Sequence, residues 1–119
     1  MSCLLAGAVA LTLAGPDFTL AWTHSIEHTG WREHWRIEDR ALRLTGAAIK
    51  GSGAGMEPGP DARLEDGWWV WTPDLSPQPA LTLAASGATG AGWQICDGAG
   101  ACHEIGADPG QPITVQPCP

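Results

Sequence analysis

Apolar and polar residues alternate along much of this chain. In Phe18-Thr19-Leu20-Ala21-Trp22-Thr23-His24, and again from Trp31 to Ile37, the period is two, which places Trp31, Glu33, Trp35 and Ile37 on one face of a strand. Asp39-Arg40 reads as a turn, after which Leu42 and Leu44 carry the alternation into a third strand. "GWWVWTP" has bulky residues on both faces, as a central or interfacial strand does. "ALTLAAS", "GWQIC", "CHEIG" and "PITVQP" add further short strands, and residues 50–67 read as one long Gly/Pro loop. No window has a helical period and no segment repeats. The pattern predicts an all-β domain, a small antiparallel sandwich or barrel of about seven or eight strands.

Composition sharpens this picture. Sixteen Gly and ten Pro in 119 residues suit short strands joined by turns, and the length suits one domain. A net charge of −7 with a single Lys argues against nucleic acid, whose phosphates reward clustered cations. Seven Trp and no Tyr mark the indoles as a large share of the core or of a binding surface.

Residues 1–15, "MSCLLAGAVALTLAG", have the length and small-residue content of a signal-peptide core, although no Lys or Arg precedes the apolar run. The expected division is therefore an apolar leader over 1–15 and one all-β domain over 16–119, in the periplasm or outside the cell. A buried first strand is the alternative reading. Cys96 and Cys102 bracket "DGAGA" and predict a disulfide across a tight turn. Cys118 has no evident partner, and Cys3 is available to it only if the leader is retained. Zinc is disfavoured for the cysteines, since no second Cys/His pair completes a site.

His24-Ser25-Ile26-Glu27-His28 matches the H-x-x-E-H pattern of zinc proteases. That chemistry needs a helix, on which two His four apart grip one ion. Here the preceding residues are strand-like, and in an extended chain His24 and His28 would stand about 13 Å apart. A hairpin suits the segment better. With residues 26–29 as its loop, Phe18 faces Ile37, Leu20 faces Trp35, Trp22 faces Glu33 and His24 faces Trp31. A slip of two sets His24 opposite Glu33 instead. Either way Glu33 lies among Trp22, Trp31 and Trp35 and needs a partner, for which His24 is the natural choice. The pair is either structural or, with Ser25 and Glu27, part of a polar pocket walled by tryptophans. His24, Glu27 and Glu33 are the candidate ligands should a divalent cation bind. No other cofactor is expected.

The opposite strand face carries Arg32, His34 and Arg36, with Arg43 beside them. Such a stripe is a solvated face or a patch for an anionic partner. "GSGAGMEPGP" lacks the Gly-Lys-Ser/Thr ending of a phosphate loop, and reads as a connection or a docking loop with Met56 as an apolar handle.

Taken together, His24, Ser25 and Glu27 at a strand end, Glu33 on the next strand, the loop residues Gly53, Gly55 and Met56, and Gly67-Trp68 opening an aromatic strand resemble an uncharacterised bacterial family, domain of unknown function 1850. Glu57 between Met56 and Pro58 departs from its pattern. The resemblance covers residues 17–72 best. It implies a small exported or membrane-associated protein, often encoded beside TRAP-type permeases that use TAXI solute-binding proteins, and it strengthens His24, Ser25, Glu27 and Glu33 as site residues.

The expected function is a non-enzymatic periplasmic accessory or binding domain for solute uptake. It would engage the permease, its solute-binding protein or a small ligand through His24, Ser25, Glu27, Glu33, Trp22, Trp31 and the loop at Gly53, Gly55 and Met56. A carbohydrate or small-molecule binding module, using Trp68, Trp69, Trp71 or Trp93, is the alternative. A hydrolase built on His24, Ser25 and Glu27 is the third.

Overall fold

A computed structural model describes residues 1–23, 30–50, 61–85, 92–108 and 110–119. Among them there are eleven strands and no helix: β1 (Ser2–Ala6), β2 (Val9–Leu13), β3 (Asp17–Thr23), β4 (Gly30–Glu38), β5 (Ala41–Ile49), β6 (Arg63–Glu65), β7 (Trp68–Trp71), β8 (Leu81–Leu83), β9 (Trp93–Asp97), β10 (Cys102–Ile105) and β11 (Ile113–Pro117). They form two antiparallel sheets, ordered β2-β1-β11-β8 and β10-β9-β3-β4-β5-β7-β6, packed as a sandwich. The eight strands read from alternation are all present. The three others lie where alternation is weak: β1 and β2 in the apolar first segment, and β6 inside the stretch read as a long loop. There Asp66 and Gly67, both at positive φ, turn β6 into β7.

Between the sheets, Leu4, Leu11, Leu13, Leu83 and Val115 of the smaller sheet meet Phe18, Leu20, Trp35, Leu42 and Ile95 of the larger. Leu4, Leu13, Leu42, Ile95 and Val115 are fully enclosed. The segment read as a leader is thus built in as a hairpin, with β1 between β2 and β11. This also gives Cys118 its partner. Cys3 and Cys118 form a disulfide beside a Cys118 N–H···O=C Cys3 hydrogen bond of 3.1 Å. The expected Cys96–Cys102 disulfide joins directly opposed residues of β9 and β10. Two disulfides are compatible with an extracellular or periplasmic location.

Two details of the larger sheet position the site. First, the β3–β4 register differs from both sequence expectations: Phe18 opposes Trp35, Leu20 opposes Glu33, and Trp22 opposes Trp31. Face parity is as expected, but the pairing is displaced by two residues, and Phe18 meets the Trp35 ring instead of Ile37. Second, a bulge opposite His34/Trp35 lets β5 change parity, so that Leu42 and Leu44 and then Ala47 and Ile49 all lie on the inner face.

Candidate functional site

On the inner face of the larger sheet, Trp22, Trp31, Ile49 and Trp69 stand in one row of paired positions, which Trp93 extends beyond Trp22. Trp22 stacks at a tilt on Trp93, with ring centroids 4.4 Å apart, and on Trp31 at 5.2 Å. Trp71 meets Trp31 edge-on at 6.0 Å. These indoles are half-buried, whereas Phe18, Leu20 and Trp35, farther along the same face, are buried under the smaller sheet. The tryptophan row thus lies at the less covered end of this face, although Ile49 within it is fully buried.

Glu33 sits one row in from this end. Its neighbours at i−2 and i+2, Trp31 and Trp35, share its face, and each donates its indole N–H to a different carboxylate oxygen: Trp31 Nε1 to Oε2 and Trp35 Nε1 to Oε1, both at 3.0 Å. The sequence reading placed Glu33 among the tryptophans, as found, and nominated as its partner His24, which lies outside the described residues. Among the described residues, its partners are the two indoles. The signal was present as Trp31-x-Glu33-x-Trp35, since side chains two apart on a strand are about 7 Å apart on one face, within reach of a shared carboxylate.

The carboxylate opens onto a cleft of about 320 Å³ between the sheets. Trp22, Trp35 and Trp93 line it from the larger sheet, and Leu75, Gln78, Leu81 and Thr82 from the opposite side. The far wall exists because the chain leaving β7 runs back along β5, where Leu42 and Gln78 exchange backbone hydrogen bonds of 2.7 and 2.8 Å, before crossing into β8. Gln78 donates its amide to Ser76 O and Trp93 donates its indole N–H to Ala84 O, both at 2.8 Å.

Of the residues chosen from sequence, Glu33, Trp22 and Trp31 come together here. His24, Ser25, Glu27, Gly53, Gly55 and Met56 lie outside the described residues. Among the described residues, no three His, Cys, Asp or Glu side chains converge as a metal site would require. Sequence reasoning missed Trp35 as a donor to Glu33, and missed Leu75, Gln78 and Leu81, which only the crossover between sheets brings to the cleft.

The outer face is a different surface. Arg36 pairs with Asp17 and Glu38, and Arg43 with Glu38, so two of the three arginines in the expected cationic stripe are neutralised within the sheet. Arg32 lies over the Trp68 ring, 4.1 Å from its centroid. Trp68 in turn covers Gly30, where a Cβ would meet the indole at 2.9 Å. Partial desolvation, then the Arg32 charge, hold the His34 imidazole below its ordinary value. Its Nδ1 lies 3.2 Å from Thr19 Oγ1.

The profile of a family described as Domain of unknown function (DUF1850) matches residues 18–105, most of the chain. The chain belongs to this family. The DUF1850 match runs from the start of β3 to the end of β10 and so contains the Trp31-x-Glu33-x-Trp35 strand, the tryptophan row and the crossover at Gln78. No curated protein and no solved structure matches the chain significantly.

Proposed function

We propose that this domain is a non-enzymatic binding module of the periplasm or cell exterior, and that the cleft at Glu33 holds a small solute. The observation that carries this reading is the carboxylate clamped by Trp31 and Trp35 at the mouth of an aromatic-walled cleft. Ligand sites characteristically combine mostly apolar walls with a few fixed polar groups, and both indole bonds hold Glu33 in one orientation. A carboxylate accepting at both oxygens is arranged to receive hydrogen bonds, which suits recognition. In the uptake setting implied by the family resemblance, the module would serve a TRAP-type permease or its solute-binding protein as an accessory.

Native mass spectrometry of the domain from its own host tests this, paired with denaturing spectra. The expected result is a small molecule released on denaturation and absent from Leu75→Trp, whose new ring fills the cleft. Leu75 is 45% exposed, so the substitution leaves the core intact. A bound molecule retained in Leu75→Trp at wild-type occupancy, or an apo wild-type mass, would overturn the assignment.

A further inference from the structure

The geometry points to an organic ammonium cation as the ligand class of the Glu33 cleft, an inference that rests on the binding reading above. It comes from counting what the cleft still offers. The indole N–H groups of Trp31 and Trp35 are spent on Glu33, that of Trp93 on Ala84 O, and one of the two Gln78 amide N–H groups on Ser76 O. What remains is a mixed set, the Glu33 and Gln78 oxygens and the Thr82 hydroxyl beside the Trp22 indole N–H and the second Gln78 N–H, in which Glu33 carries the one charge among the described lining residues. A cationic donor matches that charge, whereas a neutral sugar leaves it unpaired.

The walls favour the same class. Trp22 and Trp93 flank the carboxylate, and the negative π face of an indole attracts a cation through its quadrupole, most strongly where water is displaced. Among the described residues, no cationic side chain forms an ion pair with Glu33, whereas Asp17 and Glu38 on the outer face are satisfied by arginines. The charge therefore faces the cleft uncompensated by the sheet. A net charge of −7 adds a long-range field of the same sign, which attracts cations. The cleft's volume of about 320 Å³ is ample for a trimethylammonium or a short alkylammonium group.

The test uses the full chain and two probes of nearly equal shape: choline, and its neutral carbon isostere 3,3-dimethylbutan-1-ol. Binding is followed by tryptophan fluorescence and calorimetry, with propylammonium, glucose and acetate as further probes. Choline is expected to bind at least about ten-fold more tightly than the isostere. Glu33→Gln is expected to lower that preference, leaving the part due to the indoles and weak binding of the isostere. The wild-type comparison decides the matter even if Glu33→Gln folds poorly. Equal affinity for choline and its isostere, or tighter binding of glucose or acetate, would overturn the ammonium assignment and leave the binding reading intact. No binding by any probe, together with an apo native mass, would remove both. Choline binding that persists unchanged in Leu75→Trp would place the cation elsewhere and refute its assignment to this cleft.

Discussion

Asp97 closes the turn between β9 and β10 with one carboxylate oxygen and reaches across the sandwich with the other. Oδ1 accepts from Ala99 N and Ala101 N, and Oδ2 accepts from Ala14 N just beyond β2, each at 3.0 Å. Of these backbone donors Ala14 contributes most, and together they hold the carboxyl below its ordinary value. A depressed native value means that the unfolded chain takes up the proton first. The stabilisation is then complete above the ordinary aspartate value of about 4 and is lost as pH falls through the native one. Asp97→Asn keeps an acceptor but not the charge. It is expected to melt below the wild type at pH 7, with the gap closing as pH is lowered below about 4. A gap independent of pH in thermal melts would contradict this. Glu33 teaches a related lesson. Trp31-x-Glu33-x-Trp35 was legible as a cluster because face parity is local. Its two indole bonds went unread because attention fell on histidine as the partner and not on the donors that occupy the same strand.

At the scale of elements, the turn at Asp39-Arg40 joins Glu38 to the opposed Ala41 in two residues, with φ of 49° and 64°. These values match the type I′ hairpin, whose twist suits the strands but which puts two side chains in the left-handed region. Aspartate tolerates this region and arginine does so less well, so Arg40→Gly should stabilise the domain by about 0.5–1 kcal/mol, measured by chemical denaturation. An unchanged or lowered midpoint would mean that the Arg40 side chain contributes something that glycine loses. The turn itself was readable from sequence, whereas the Asp66-Gly67 turn into β7 lay hidden inside the stretch read as a long loop. Register was not. Parity allows every even displacement, and the choice among them depends on which rings meet across the strands, here Trp22 with Trp31 and Phe18 with Trp35. The bulge that realigns β5 was equally hidden, because Leu42, Leu44, Ala47 and Ile49 change parity with no glycine-rich interruption beyond Gly46.

For the molecule as a whole, the two disulfides differ in reach. Cys3–Cys118 spans 115 residues and joins β1 to the chain end after β11, whereas Cys96–Cys102 spans six. On the chain-entropy model these closures are worth about 5 and about 2 kcal/mol respectively. Removing the long link as Cys3→Ser/Cys118→Ser should therefore lower unfolding stability clearly more than Cys96→Ser/Cys102→Ser does. Equal losses in urea titrations would show that β1 and β11 stay paired in the unfolded ensemble, or that strain offsets the entropy. Apolar, small-residue segments serve equally as leaders and as buried strands. Only the partners that β1 and β2 find in β11, Phe18 and Leu20 distinguish a strand role for residues 2–13, and those partners are far away in sequence.

The eight alternating strands, the face parity of β3 and β4, the Asp39-Arg40 turn, the Cys96–Cys102 link and the association of Glu33 with tryptophans are properties of neighbours along the chain. The amino-acid order was enough to establish them. The strand register, the Cys3–Cys118 closure and the cleft depend on contacts between distant segments. The cleft most of all was decided in three dimensions. Glu33 acquires a wall of Leu75, Gln78 and Leu81 because the chain follows β5 before crossing sheets. Where a chain crosses between sheets is set by packing, and no local pattern encodes it.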